Sequence, residues 1–134
     1  MVNNVILIDA NVFLAYENKD DVHHTNACGL LNKIQGGTYG SWFITDYIFN
    51  EVVGVTLRKF GKERAVTIGE GLLKSVALLN IDEHLLREAW KIFIKTNTTL
   101  NLVDCTNLVA LTVANTKAIA TFDKEFKTVA NVIS

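Results

Sequence analysis

The sequence has no long hydrophobic run and no basic leader segment. Its longest apolar stretches fall well short of the ~20 residues that a helix needs to cross a bilayer, which argues against a membrane-spanning protein. The first residues contain no basic segment, and the apolar run from Val5 to Ile8 is too short for the core of a signal peptide. We therefore expect the protein to stay in the cytoplasm.

Cysteine and excess charge are also scarce. The two cysteines, Cys28 and Cys105, match neither a zinc-ligand nor a thioredoxin spacing, so we expect both to be free and packed. The formal net charge is −1, and any phosphate-bearing substrate must therefore be attracted locally. Because the 134 residues contain no repeat, low-complexity segment or linker, we expect one domain over residues 1–134.

A buried strand followed by an acid stands near the beginning of the chain. Residues 5–8 (Val-Ile-Leu-Ile) are apolar without alternation, which predicts a strand covered on both faces, as in a parallel sheet. Asp9 follows at the carboxyl end of this strand, the edge where ligands bind in open α/β sheets. Asp is also a favoured helix N-cap, and position alone favours that structural interpretation.

Strand and helix patterns alternate along the rest of the sequence. Further strands are predicted at residues 41–45, 75–81, 118–121 and 129–133, with helical segments between them. After Asp82, residues 85, 86, 89, 90 and 93 form an apolar stripe typical of a core-facing helix. This order predicts an α/β fold with a central, mostly parallel sheet of four to five strands, flanked by helices on both faces.

Four acids far apart in sequence are expected at one edge of that sheet. Asp9 ends the first strand, Glu51 lies on the helix after the second, Asp104 begins a helix and Asp123 follows the fourth strand. Glu51 on its own would be read as an exposed partner of the helix dipole. Together, four carboxylates must either take up protons or bind a cation, and oxygen ligands suit Mg²⁺ or Mn²⁺.

The chain resembles the PIN domain nucleases, in particular the small VapC-type toxins. The matching segments are Ile8-Asp9-Ala10-Asn11-Val12-Phe13-Leu14-Ala15, residues 45–52 with Glu51, Val103-Asp104-Cys105-Thr106-Asn107-Leu108 with Ala110, and Ala120-Thr121-Phe122-Asp123-Lys124-Glu125-Phe126. Each motif is short, but four of them occur in the family's order and span essentially the whole chain. The departures are minor: Cys105 stands where a small residue is frequent, and Asn107 adds polarity to its helix.

This resemblance implies a metal-dependent endoribonuclease. Asp9, Glu51, Asp104 and Asp123 would be its catalytic residues and would hold Mg²⁺ or Mn²⁺, directly or through water. Asn11 and Thr121 match positions that support those ligands by hydrogen bonds. The nucleophile would be a metal-activated water, since no other base is apparent. An RNA substrate, an antitoxin protein and a homodimer are the partners implied.

Basic residues supply candidate contacts to RNA phosphates. Residues 58–74 contain five basic and two acidic side chains, although a charge-rich helix is more often a solvated face. The candidates are Arg58, Lys59, Lys62, Arg64, Lys124 and Lys127. His23 and His24 have no third ligand at metal spacing, and we expect them to be solvated surface residues.

Two other interpretations stay open. The chain could be a non-catalytic PIN-fold module that binds RNA or protein, or an RNA-processing nuclease unrelated to a toxin–antitoxin pair. Phosphatase or phospho-receiver chemistry, which also uses an Asp after the first strand, is weaker. It lacks a second acid at Asn11 and leaves Glu51 without a role.

Overall fold

The computed structural model describes residues 4–134, which form five strands, six α-helices and one short 3₁₀ helix. The strands are β1 (Val5–Ile8), β2 (Ser41–Thr45), β3 (Ala77–Leu79), β4 (Ala118–Ala120) and β5 (Asn131–Ile133). The helices are α1 (Ala10–Glu17), α2 (His24–Gln35), α3 (Asp46–Phe60), α4 (Lys62–Ser75), α5 (Glu83–Lys95) and α6 (Leu102–Val113), with the 3₁₀ helix at Lys124–Thr128.

All five strands pair in parallel, in the order β3-β2-β1-β4-β5. The central strand β1 aligns Leu7 with Phe43 of β2 on one side and with Ile119 of β4 on the other. This sheet confirms the predicted α/β class and strand number. The order reverses at β1, because the chain first adds β2 and β3 on one side and later adds β4 and β5 on the other.

The helices divide into two groups that follow this reversal. Helix α1 packs on α2 and α3, and α3 packs on α4, whereas α5 packs on α6. Right-handed crossovers place connections that run in opposite directions on opposite faces of a parallel sheet. The two groups therefore cover the two faces, as the sequence predicts.

The core is built on β1, because both of its faces are covered. Ile6, Leu7 and Ile8 have no exposed surface, and they belong to one cluster with buried residues from all six α-helices. Fully burying an aliphatic side chain contributes about 1.5–3 kcal/mol relative to leaving it exposed. The strand that carries Asp9 is thus the most firmly held segment of the sheet.

Three strands are shorter than the sequence predicts: the third at both ends, the fourth at its end and the fifth at its beginning. The third strand covers only Ala77–Leu79 rather than residues 75–81. Helix α4 continues through Ser75, and the Ile81 backbone N–H donates to Asp46 Oδ1 at 2.8 Å instead of joining the ladder. A side chain 35 residues away therefore ends the strand early.

The prediction that the whole apolar stripe of α5 faces the core is wrong in part. Ala89 is fully buried, and Leu85 is half-buried against the core, but Trp90 is 49% exposed and Phe93 is 37% exposed. The periodicity correctly identifies an apolar helix face. That face is wider than the area which α6 and the sheet cover.

Candidate active site

The candidate site lies where the strand order reverses, between the carboxyl ends of β1 and β4. Asp9 follows β1 directly, and its backbone N–H donates to Ala120 O at 2.9 Å, which holds the two strand ends together. The connections that follow two adjacent strands run to opposite sides of the sheet at such a point, so a crevice opens between the two loops. The topology thus delivers Asp9 and the residues after Ala120 to one place.

Asp9 serves as the N-cap of α1 and as the most enclosed acid of the crevice. Its Oδ1 accepts from the Ala10 backbone N–H at 2.8 Å, and its Oδ2 accepts from the Thr121 hydroxyl at 2.9 Å. Burial raises the pKa of Asp9 from an ordinary 3.8 to about 6; these two hydrogen bonds oppose the rise, while the charges of Asp104 and Glu51 add to it. Asp9 is therefore a helix N-cap and, at the same time, a carboxyl group whose pKa is raised.

Thr121 and Asn11 link Asp9 to the segment that carries Asp123. Thr121 is fully buried; its hydroxyl accepts from Asn11 Nδ2 at 3.0 Å and from the Asp123 backbone N–H at 3.0 Å. Asn11 Oδ1 in turn accepts from the Phe122 backbone N–H at 3.2 Å. These bonds fix the loop after β4 against the start of α1.

Asp104 enters the crevice from the opposite helical layer. It is the third residue of α6 and forms a reciprocal capping box with Asn101: Asp104 Oδ2 accepts from the Asn101 N–H at 3.0 Å, and Asn101 Oδ1 accepts from the Asp104 N–H at 2.8 Å. Burial raises the pKa of Asp104, the Asn101 hydrogen bond lowers it, and the charge of Asp123 raises it.

Glu51 is the most solvent-exposed of the four acids. It lies in the second turn of α3. Partial burial raises the pKa of Glu51, and the negative charge of Asp104 raises it further. Through Asp104 the four acids interact electrostatically as one group. None of the ion pairs found among residues 4–134 involves any of these four acids.

Helix N-termini compensate part of the repulsion between these carboxylates. Asp9 caps α1, Asp104 lies in the first turn of α6, and Asp123 caps the 3₁₀ helix by accepting from the Glu125 N–H at 3.0 Å. The partial positive charge at a helix N-terminus favours a nearby anion, typically by 0.3–1 kcal/mol. The backbone therefore helps the chain to tolerate clustered negative charge.

Asn107 is a site residue whose place the sequence did not reveal. It lies one turn after Asp104 and is fully buried, and its Nδ2 donates to Asp9 Oδ1 at the long distance of 3.5 Å. Within residues 4–134 its Oδ1 has no hydrogen-bond partner. A buried oxygen without a donor is uncommon and is expected to receive a water or an ion. The spacing of three from Asp104 on one helix was the available signal.

The crevice has the chemistry, but not the closed geometry, of a metal centre. Among residues 4–134, no three His, Cys, Asp or Glu side chains converge tightly enough to enclose an ion. Mg²⁺ keeps several waters and uses only one or two carboxylates as direct ligands. Four carboxylates, together with a buried amide oxygen that has no hydrogen-bond partner within residues 4–134, fit such a partly hydrated cation.

The basic residues fall into two separate places. Lys124 and Lys127 lie on the 3₁₀ helix that begins at Asp123, next to the acids. Arg58 is seven residues beyond Glu51, about 10 Å along α3. The Arg64 guanidinium donates to Glu17 O at 2.6 Å and lies 4.3 Å from the Phe60 ring centre. The crevice is therefore bordered by the C-terminal lysines rather than by Arg64, while Lys59 and Lys62 flank the α3–α4 junction.

The prediction that His23 and His24 are solvated surface residues is only partly correct for His23 and is wrong for His24. His23 is exposed but stacks on Phe122, with ring centres 4.5 Å apart and planes 7° apart. His24 is half-buried, since its Nδ1 lies 2.9 Å from Ala15 O and its Nε2 lies 3.6 Å from Cys28 Sγ. Both cysteines are free, as expected; burial, and then the Asp104 charge, raises the pKa of the Cys105 thiol.

Fold and site together define a class: a doubly wound α/β domain with an acidic crevice at the reversal of its sheet. The PIN domain model matches residues 6–132, and the chain belongs to that family. The membership expected from the sequence motifs is thus confirmed.

One curated relative and two solved structures are similar to this chain. The chain is 32% identical over 90 residues to a VapC ribonuclease of Archaeoglobus fulgidus; that match covers 65% of the chain and 56%, little more than half, of the relative. The crystal structure of Mycobacterium tuberculosis VapC20, titled a Sarcin-Ricin loop cleaving toxin, superposes with a TM-score of 0.81 at 19% identity and covers 92% of the chain and 93% of VapC20. A toxin-antitoxin complex from Klebsiella pneumoniae gives a TM-score of 0.69 at 15% identity, with 96% of each chain covered.

Proposed function

We propose that this protein is a divalent-metal-dependent endoribonuclease that hydrolyses RNA phosphodiester bonds, and that it is the toxin of a toxin–antitoxin pair. The observation that carries the proposal is the electrostatic coupling of Asp9, Glu51, Asp104 and Asp123 in one crevice, where none of the four acids forms an ion pair with another residue between 4 and 134. Membership of the PIN family and the similarity to a VapC ribonuclease support the same conclusion.

Asp9, Asp104, Glu51 and Asp123 would hold Mg²⁺ or Mn²⁺, directly or through water. When bound, the ion would activate a water for attack on phosphorus and neutralise charge on the phosphoryl oxygens. Asp9 is positioned for this task by hydrogen bonds from Thr121 and Ala10, which keep its carboxylate from rotating.

The supporting residues have separate tasks in this proposal. Asn11 holds the Phe122 backbone and the Thr121 hydroxyl, so the loop that carries Asp123 stays close to Asp9. Asn107 Nδ2 donates to Asp9 Oδ1, and Asn107 Oδ1, which has no partner within residues 4–134, would accept from a water of the site. Both act through the acids, as positioning residues.

The test is RNA cleavage by the wild-type chain and by Asp9→Asn, with Mg²⁺, with Mn²⁺ and with EDTA. We expect cleavage only by the wild type and only with a divalent ion. Asp82→Asn is a matched control, because Asp82 also caps a helix but lies exposed on α5. Cleavage by Asp9→Asn at the wild-type rate would overturn the proposal. RNA binding without cleavage in either metal would favour the non-catalytic module.

Partners of the protein are also proposed. We expect an antitoxin encoded next to this chain to co-purify with it, and we expect the chain to form a homodimer in the cytoplasm. Helix α5 offers an apolar surface for such contacts in Trp90, Phe93 and Ile94, of which Ile94 is 61% exposed. Light scattering should give a dimer for the wild type and a monomer for Trp90→Glu; a monomeric wild type would contradict self-association.

No helix among residues 4–134 is long and apolar enough to span a membrane.

A further inference from the structure

A second concave feature, the lysine cleft, borders the acids on the β4–β5 side of the sheet. Its walls come mainly from residues 23–33 and 121–127, Tyr39, Val132 and Ser134 complete the lining, and it encloses about 390 Å³. Its lining includes His23, Gly29, Lys33, Phe122, Lys124 and Lys127. Thr121 and Asp123 belong both to this lining and to the acidic crevice, so the two features are continuous.

The cleft carries a positive charge that the overall composition hides. Lys33, Lys124 and Lys127 are exposed, and none of the three forms an ion pair with any residue between 4 and 134. Asp123 is the acidic side chain at its inner end. Three free ammonium groups around one acid attract an anion such as phosphate, in a chain whose formal net charge is −1.

A flat aromatic platform stands beside these lysines. The His23 and Phe122 rings are nearly parallel, at 7° and 4.5 Å, and His23 leaves its outer side exposed. The backbone of each residue is hydrogen-bonded: the His23 N–H donates to Asp21 Oδ1 at 2.8 Å, and the Phe122 N–H donates to Asn11 Oδ1 at 3.2 Å. A fixed aromatic face of this kind stacks unpaired bases of any sequence.

Gly29 keeps the floor of the cleft open. A Cβ at this position would meet no atom within 4 Å, so a side chain there would extend into free space. Gly29 lies inside α2, where glycine is less favourable than alanine by roughly 1 kcal/mol. The absence of a side chain at Gly29 therefore leaves this part of the cleft wider than any other residue would.

We propose that the lysine cleft binds one unpaired nucleotide of the RNA next to the cleaved bond. The base stacks on the outer face of His23, and the flanking phosphates contact Lys33, Lys124 and Lys127. This inference rests on the proposed function for its substrate class. An exposed aromatic ring beside ammonium groups without ion pairs is the combination that binds single-stranded nucleic acid, and it favours a nucleotide over a protein segment.

The experiment measures the affinity of the full chain for fluorescein-labelled oligouridine by anisotropy, in EDTA, as a function of salt. Stacking on an aromatic side chain is worth about tenfold or more in affinity, so His23→Ala should weaken binding about tenfold and His23→Phe should restore it. Gly29→Leu should weaken binding similarly by filling the floor. Lys33→Gln should reduce the slope of log affinity against log salt by about 0.7.

Gly71→Leu is the matched control for Gly29→Leu. Gly71 lies exposed inside α4, a Cβ there also meets nothing within 4 Å, and it is outside the lysine cleft. We expect wild-type affinity from Gly71→Leu and an unfolding temperature at least equal to that of the wild type from both glycine variants.

The outcomes separate this inference from the proposed hydrolysis. Wild-type affinity in both His23→Ala and Gly29→Leu would overturn the nucleotide site, even if Lys33→Gln lowered the salt slope, because a general basic surface would then suffice. If these variants weaken binding but the wild type cuts no RNA with metal, the site stands and the hydrolysis fails. If the wild type cuts RNA and the variants bind normally, only the site fails.

Discussion

Asp9→Asn should stabilise the protein at neutral pH while abolishing RNA cleavage. The carboxyl of Asp9 has an ordinary pKa of 3.8 when unfolded and about 6 in the folded chain, so the folded state binds the proton more tightly. Below pH 3.8 the group is neutral in both states and costs nothing. As pH rises from 3.8 to 6, ionisation is increasingly opposed by burial, and stability falls by about 3 kcal/mol in total.

The variant avoids this cost but does not keep every hydrogen bond. Asn is as good an N-cap as Asp, and its single oxygen accepts from either Ala10 or Thr121, so losing the second bond costs about 1 kcal/mol. We therefore expect Asp9→Asn to be more stable than the wild type by about 1–2 kcal/mol at pH 8, and no more stable at pH 4.

The assay is urea unfolding in EDTA between pH 4 and pH 8, with Asp82→Asn as the control. Asp82 caps α5 from an exposed position, and its substitution should change the free energy of unfolding by less than about 0.5 kcal/mol. The reasoning would be refuted if Asp9→Asn were less stable than the wild type at pH 8, or if the difference between them did not grow from pH 4 to pH 6.

Three further perturbations test the structure around this site. Thr121→Val removes a buried hydroxyl that donates to Asp9 and accepts from Asn11 and from the Asp123 N–H. It should lower the free energy of unfolding, measured by urea titration, by about 1–3 kcal/mol. An effect no larger than that of Thr128→Val, at an exposed position, would contradict this role of the hydroxyl. Gly40→Ala should destabilise more than Gly37→Ala, since both glycines have positive φ but only at Gly40 would a Cβ lie 2.1 Å from Asn4 O; equal unfolding temperatures would contradict this. Millimolar Mn²⁺ should raise the unfolding temperature of the wild type and not of Asp104→Asn, because a ligand stabilises only the state that binds it; an equal rise in both would exclude Asp104 as a ligand.

The features that the sequence predicted best are those fixed by neighbouring residues. Strand β2 has the predicted bounds, because Thr45 ends the strand and its hydroxyl accepts from the Ile48 N–H at 3.1 Å as the N-cap of α3. The meeting of Asp9 with Asp123 follows from a general rule of parallel sheets rather than from any local signal. The bounds of β2 needed only neighbouring residues, whereas the placement of Asp9 and Asp123 at one sheet edge needed only the order of elements.

The features that escaped the sequence depend on distant contacts or on the extent of packing. Asp46 draws Ile81 out of the third strand, and no pattern within residues 75–81 records that bond. Periodicity identified the apolar face of α5, but the exposure of Trp90 depends on how much of that face its neighbours cover. His24 and Cys28 are different: their spacing of four on one helix was visible, and the contact between them could have been predicted.

The central claim is that four carboxylates form one divalent-ion site that hydrolyses RNA. Its most direct test is Mn²⁺ binding by calorimetry to the wild type, to Asp9→Asn, Glu51→Gln, Asp104→Asn and Asp123→Asn, and to Asp82→Asn as control, with RNA cleavage followed in the same samples. We predict that each of the four site variants binds Mn²⁺ more weakly than the wild type and loses cleavage, while Asp82→Asn matches the wild type in both. Wild-type Mn²⁺ affinity and cleavage in Asp9→Asn and Asp104→Asn would contradict it.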